Sequence, residues 1–227
     1  MSRIVLKLGG RVATAGAGEA LALRAAGYAV TVVHGAGPQI TAEMERRGIT
    51  PSFVDGRRVT TADVLEVVRE SLAEVNAAVC AAIGADAVPL FGDEIGLPAS
   101  QVESLGLVGD PAPSAPSEVV AALAAGRIPV VAPLAAEPDS GGSLNVNADE
   151  AAAALAVGLG AERIVFVSDV PGVLMDGAVM EHIGVDEADR MLGDGTFEGG
   201  IVPKLVAAVR AVRGGVRASI GATEVVA

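Results

Sequence analysis

The sequence predicts an α/β protein built around a mostly parallel sheet, and three observations carry that expectation. Runs of β-branched residues alternate with alanine-rich helical stretches along the 227 residues, the order expected of βαβ units. Hydrophobic residues make up 51% of the chain but aromatic ones only 2%, so the core is packed from Ala, Val, Leu and Ile between layers rather than around large rings. A chain of this length closes a substantial core, either as one large domain or as two joined lobes.

The first predicted strand, Ile4 to Leu8, runs into Lys7-Leu-Gly9-Gly10. Glycines there let backbone N–H groups approach a phosphate while the lysine charge reaches it from the strand tip. An ordinary strand-to-loop turn has the same composition. A helix over Ala17 to Ala26 and a strand over Ala29 to His34 follow, and the strand ends in His34-Gly35-Ala36-Gly37-Pro38. Small residues before a helix N-terminus, with Pro38 at the first helical position, suit a carboxylate or a phosphate. This is neither a dinucleotide fingerprint, because the third spaced glycine is absent, nor a P-loop. His34 reads as a hydrogen-bonding group that orients the turn.

After the helix over Pro38 to Arg47 comes Asp55-Gly-Arg57-Arg58-Val-Thr60, just before a long helix over Ala62 to Ile83. Thr61 supplies its N-cap and Gly84 its stop. An arginine at this point can clamp a carboxylate through two parallel hydrogen bonds, although exposed arginine pairs are also common on plain surface. A strand over Ala87 to Phe91 leads into the Gly-, Pro- and Ser-rich region Gly92 to Pro116, where Gln101 to Val108 is expected to form one arm of a hairpin. A helix over Ser117 to Ala125 and a strand over Ile128 to Ala132 complete this half. The stretch Glu137 to Gly142 is the expected lobe boundary, dividing residues 1–136 from 137–227.

Asn145-Val-Asn147-Ala-Asp149 opens the second half at the mouth of an alanine-rich helix, Ala148 to Leu159. An N-cap role accounts for Asn147 and leaves Asn145 and Asp149 to be explained. The strand Arg163 to Ser168 then delivers Asp169-Val-Pro-Gly172 to a carboxyl edge, where α/β proteins bind ligands. Gly199-Gly200-Ile-Val-Pro203-Lys204 starts the helix Gly200 to Arg213, ahead of a strand over Val216 to Ile220. Lys204 therefore falls in a first helical turn, where the helix dipole disfavours a cation. Lys7 and Lys204 are the only lysines beside 14 arginines, and a compact ammonium with rotatable donors is what arginine cannot imitate.

Composition excludes several classes. A net charge of -12 argues against a nucleic-acid or anionic-membrane binder, which needs basic surface to release counterions. Apolar runs are too short for a membrane span of ~20 residues, and no signal peptide is visible, so the expected location is cytoplasmic. Cys80 is single and reads as a structural thiol. Two histidines give no basis for a protein-held metal site.

Taken in this order and spacing, the segments from Lys7 to about Val216 resemble the amino-acid kinase family, and within it the branch that acts on N-acetyl-L-glutamate. The resemblance implies a three-layer αβα sandwich with a mostly parallel central sheet. It implies a lobe at 1–136 for the acyl amino acid and for dimerisation, and a lobe at 137–227 for ATP, in a homodimer. Lys7 and Lys204 match the two lysines that neutralise the transferring phosphoryl group, and Asp149 the carboxylate that holds both. Arg58, Asn145, Asn147 and the backbone at Ala36 and Gly37 match the acyl amino acid pocket. Gly9, Gly10, Asp169, Gly172, Gly199 and Gly200 match the nucleotide side, with Mg²⁺ carried mainly by the nucleotide and no protein-held metal.

The implied activity is ATP-dependent phosphorylation of the side-chain carboxylate of N-acetyl-L-glutamate, giving N-acetyl-L-glutamyl 5-phosphate in arginine biosynthesis. A kinase for a related carboxylate or carbamate, and a non-catalytic nucleotide or amino-acid sensor, are the alternatives. Three departures bear on the choice. Ala36 stands in place of the middle glycine of a triple-glycine turn, the Gly92 to Pro116 region is short, and Gly221 to Ala227 keeps little of the family's terminal hairpin.

Overall fold

A computed structural model of the protein describes residues 1–10, 12–138, 140–167 and 170–227. The first part of the chain forms β1 (Arg3–Leu8), α1 (Ala17–Ala25), β2 (Ala29–His34), α2 (Gly37–Arg46), β3 (Phe53–Val54), β4 (Arg57–Arg58) and α3 (Ala62–Ile83). Then come β5 (Ala87–Phe91), β6 (Ala99–Gln101), β7 (Val108–Pro111), α4 (Ser117–Ala124), β8 (Ile128–Ala132), β9 (Leu134–Ala136) and β10 (Ser143–Val146). The remainder is α5 (Ala148–Gly158), β11 (Arg163–Val167), β12 (Leu174–Met175), β13 (Ala178–Val179), β14 (His182–Gly184), α6 (Val185–Gly193), α7 (Ile201–Arg213), β15 (Arg217–Ile220) and β16 (Thr223–Val226).

One eight-stranded sheet runs through the molecule in the order β14-β16-β15-β11-β1-β2-β8-β5. Every pairing in it is parallel except the β15–β16 hairpin. The expected α/β architecture is therefore the observed one. Alternation along β1 sorts its side chains between two cores. Ile4, Leu6 and Leu8 join Val30, Val32 and Val130 beneath α1, α2 and α3, while Val5 joins Val33, Ile164 and Phe166 beneath α4, α5 and α7. A period of two then puts Lys7 on the same face as Val5, toward α5. The two cores sandwich the sheet between helical layers.

α3 shows why these segments are helical. Its buried positions Val64, Val67, Val68, Leu72, Val75 and Val79 recur at three and four residues, a stripe of period 3.6. The Thr61 side chain accepts from the Val64 N–H at 3.4 Å, and Gly84 ends the helix at φ 85°, where a Cβ would be strained.

Two of the expected segments are built differently in the structure. The arms of the hairpin in the Gly-rich region are β6 and β7, antiparallel through Ser100 and Asp110, and Gln101 to Val108 is mostly the connection between them. Thr60 captures that connection, donating its N–H to Leu105 and accepting from the Leu107 N–H. Between antiparallel β9 and β10, Glu137 donates its N–H to Gly142 O at 2.8 Å. β15 and β16 pair over Ala218–Val225 and Ile220–Thr223, so a terminal hairpin is present. Among the described residues, no helix is long and apolar enough to cross a membrane.

Candidate active site

A cavity of about 420 Å³ opens over the carboxyl ends of β1 and β2, the edge where open α/β sheets place ligands. Lys7 rises into it from β1, Asp149 from the first turn of α5 and Lys204 from the first turn of α7. Lys7 Nζ lies 2.9 Å from Asp149 Oδ1, and Lys204 Nζ lies 3.5 Å from Asp149 Oδ2. The Lys7 and Asp149 side chains are each 5% exposed. Burial pushes the Lys7 ammonium below the ordinary lysine range and the nearby Lys204 adds to that, while Asp149 opposes both. Two cations share one anion here, so the cluster keeps a surplus positive charge suited to a polyanion. The unfavourable placement of Lys204 at a helix start is explained by this partner.

Two turns close the same end of the cavity. Gly9 donates its N–H to Val167 O at 3.1 Å and Gly35 to Leu8 O at 2.9 Å, so neither amide is free for a ligand. The Gly10 N–H has no partner among the described residues, and Gly10 itself is closely packed. A Cβ there would sit 3.1 Å from Pro38 Cδ and from Gln39 Oε1, and Gln39 Nε2 donates to the Gly10 carbonyl at 3.1 Å. Across the cleft, α2 begins at Gly37 with Ala36 as its N-cap, and its first N–H groups, Pro38 having none, lie at the positive end of the helix dipole. Ala36 has φ -138°, open to any residue, and its 2% exposed side chain packs into the core beneath α2. The methyl in place of a glycine hydrogen therefore needs no unusual backbone.

Arg58 is buried on the far side. Its Nη2 donates to Thr41 Oγ1 at 2.9 Å and to Gly37 O at 3.3 Å, and its guanidinium lies 4.6 Å from the centre of the Phe53 ring. Burial pushes its pKa down, yet a guanidinium stays charged in proteins. Among the described residues it has no carboxylate partner. A buried, unpaired cation is costly unless an anion arrives. Asn145 Nδ2 donates to Thr60 Oγ1 at 3.0 Å, and Thr60 in turn donates to the Arg58 carbonyl at 2.8 Å, which ties β10 to the clamp. Asn147 caps α5, accepting from the N–H groups of Asp149 and Glu150 at 2.8 and 3.4 Å, and so fixes the turn that presents Asp149.

Not every expected site residue reaches the cavity. Lys7, Gly9, Gly10, Ala36, Gly37, Arg58, Asn145, Asn147, Asp149, Gly200 and Lys204 all line it. Gly172 does not: it is buried where a Cβ would meet Thr223 Oγ1 at 2.6 Å and Val179 Cγ1 at 2.7 Å, a packing reason for glycine. Gly199 also lies outside the lining, at φ 68° in the turn before α7. Asp169 falls outside the described residues. In the sequence, Arg57 is legible only as the neighbour of Arg58, and Glu150 does not stand out. Arg57 lines the cavity and donates to Glu150 Oε1 at 2.8 Å; Glu150 is buried, which raises its pKa against the pull of Arg57. His34 is fully buried beside Asn76 Nδ2 at 3.1 Å, and burial holds its pKa down at about 4.

Residues 2–221 match the amino acid kinase family. Acetylglutamate kinase from Frankia casuarinae is 42% identical over 94% of this chain, which spans 64% of that protein's length. The acetylglutamate kinase of Gluconobacter oxydans is 38% identical, covering 96% of this chain and 82% of its own. Among solved structures, smu.665 from Streptococcus mutans UA159 superposes with a TM-score of 0.91 at 28% identity, over 99% of this chain and 98% of its own. Carbamate kinase from Giardia lamblia bound to citric acid reaches 0.74 at 15% identity, covering 99% of this chain and 98% of its own, and so shares the fold. From the lysine pair and its carboxylate, the family match and these relatives together, the chain belongs to the amino acid kinase family.

Proposed function

We propose that the protein transfers the γ-phosphoryl group of ATP to the side-chain carboxylate of N-acetyl-L-glutamate, releasing ADP and N-acetyl-L-glutamyl 5-phosphate, a step of arginine biosynthesis. The observation that carries this reading is the convergence of Lys7 and Lys204 on Asp149 in one cavity with Arg58, which has no carboxylate partner among the described residues. A dicarboxylate amino acid fits that polarity, with its α-carboxylate on Arg58 and its side-chain carboxylate directed at the lysines.

A carboxylate nucleophile is already ionised near neutral pH and needs no general base. His34, held neutral and turned toward Asn76, has no part in the transfer. What opposes the reaction is repulsion between the carboxylate and the polyphosphate, so catalysis rests on placement and charge neutralisation. Lys7 and Lys204 neutralise the equatorial oxygens of the moving group from two sides, and Asp149 keeps both ammonium groups aimed. The Gly10 N–H and the first turn of α2 donate to oxygens that lysine does not reach.

Mg²⁺ carried by the nucleotide would supply charge neutralisation of the phosphates. Asp149 faces the two lysines and Glu150 Oε1 is engaged by Arg57, and no cluster of three potential protein ligands occurs among the described residues. The donor set fits an ion carried on the phosphates. Residues 1–136 would hold the acyl amino acid and form a homodimer, and residues 137–227 would hold ATP, with Gly199 and Gly200 shaping that side. The cytoplasm is the proposed location.

Hydroxylamine trapping of acyl phosphate tests the reading, using ATP, Mg²⁺ and N-acetylglutamate, N-acetylaspartate, glutamate, N-acetylaminoadipate or carbamate in turn. Product with N-acetylglutamate is expected. Product only with another member overturns the substrate, and no product from any of them while ATP still binds overturns the activity.

A further inference from the structure

Next to the carboxylate clamp runs a chain of charges for which phosphoryl transfer gives no account. Arg57 donates to Glu150 Oε1 through Nε at 3.2 Å and Nη2 at 2.8 Å. Its Nη2 also lies 3.3 Å from Asp110 Oδ1, an oxygen that Arg210 Nη1 approaches to 2.7 Å. These four residues come from β4, α5, β7 and α7. Two of those helices carry the phosphate-facing cluster, because Glu150 follows Asp149 and Arg210 lies further along the helix of Lys204. A fifth contact points the same way. At the tip of the β3–β4 hairpin, Gly56 is so near α7 that a Cβ would meet Pro203 Cδ and Cγ at 3.7 Å.

Besides this chain, the hairpin is held mainly through Arg58, which bonds Thr41 and Gly37 of α2. It has two residues in each strand, pairing Phe53 with Arg58 and Val54 with Arg57, and its turn places Asp55 and Gly56 at φ 49° and 76°. Phe53 and Val54 are 53% and 47% exposed, so its outer arm buries only part of its apolar surface. A two-stranded ribbon of this kind is marginal by itself. Its inner arm ends in Arg58.

We propose that Arg57 is a positioning residue for the substrate clamp: through Glu150 and Asp110 it fastens the β3–β4 hairpin, and with it the Arg58 guanidinium, to the helices that carry Asp149 and Lys204. The distance between the substrate's two carboxylate subsites then depends on this ionic chain together with the bonds of Arg58 to α2. Glu150 is the stronger anchor, because its side chain is 6% exposed against 43% for Asp110, and a charge-assisted bond strengthens as water is removed. This deepens the proposed function and rests on Arg58 being the carboxylate clamp.

Hydrogen exchange of the ligand-free protein tests the fastening without turnover. Amides of residues 53–59 should exchange about tenfold faster in Glu150→Gln, and less so in the milder Asp110→Asn, as expected when one charged hydrogen bond is lost. Unchanged exchange in both variants overturns the proposal. Kinetics test the positioning. Arg57→Leu should raise KM for the acyl amino acid about tenfold and leave KM for ATP within about twofold, with Arg57→Lys recovering part of the loss. Equal movement of both KM values, or a fall in kcat alone with a lowered melting temperature, would show a merely structural residue. If the wild type turns over no carboxylate, the functional reading fails while the exchange result still decides whether Arg57 holds the hairpin.

Discussion

Replacing Asp149 by asparagine removes the negative charge that Lys7 and Lys204 share while keeping the side chain's size. At the observed separations of 2.9 and 3.5 Å, and with an effective dielectric of about 20, the two attractions amount to ~6 and ~5 kcal/mol. The cost of burying the charges offsets most of that, so the expected net loss of stability near neutral pH is about 3–5 kcal/mol, as when one partner of a buried pair is removed. Lys7 responds in a definite direction. Its pKa is already lowered by burial with Asp149 opposing, and without that carboxylate it falls further. Between the lowered value and the ordinary lysine value of 10.5, the unfolded state binds more protons than the folded one, so stability rises with pH across that window. The variant's window is wider, and its deficit relative to the wild type should shrink between about pH 7 and about pH 10. Urea unfolding of both proteins at the two pH values measures this, and hydroxamate formation at neutral pH should fall on the order of 10²–10³-fold. A deficit of the same size at both pH values, or turnover within about threefold of the wild type, would refute the account of Asp149 as the shared counter-charge.

Two other outcomes follow from buried cations and bases. Arg58→Ala should raise the apparent KM for the acyl amino acid by ~10–100-fold, the worth of a charged hydrogen-bond pair, with kcat little altered, as steady-state kinetics would show. His34 is held at about 4 against an ordinary 6.5, so the folded state resists protonation and stability is lost as pH falls from 6.5 through about 4. The loss is ~3 kcal/mol, and unfolding of His34→Gln over the same range should lack that part of the acid sensitivity.

Periodicity and punctuation made the sandwich legible. The strand Ala29–His34 and the helix Ala62–Ile83 have the limits expected from β-branched runs and from the Thr61 and Gly84 caps, because local sequence and tertiary burial agree there. The lysines stood out through the company they keep in sequence, and alternation along β1 explains which way Lys7 faces. The Arg57–Glu150 contact is not legible in sequence for the opposite reason: it joins segments far apart in the chain, and a charged residue beside a turn resembles plain surface. The connection between Gln101 and Val108 was misjudged because Thr60, a distant residue, takes its backbone hydrogen bonds. α6 carries Asp186 and Glu187 in its first turn and Arg190 in its last, a helix signature that the surrounding glycines obscured.

The position of β1 has a consequence for how the chain is made. It is an interior strand, with Ile4 paired to Val30 on one side and to Arg163 on the other. The first partner leaves the ribosome soon after β1, and the second only after most of the chain has been synthesised. In that interval the strand bearing Lys7 has one edge of unpaired backbone groups, and the ammonium lacks the carboxylate that α5 will bring. Long-range parallel pairing of this kind forms late and slowly, so the growing chain exposes its future central strand to other chains until β11 arrives.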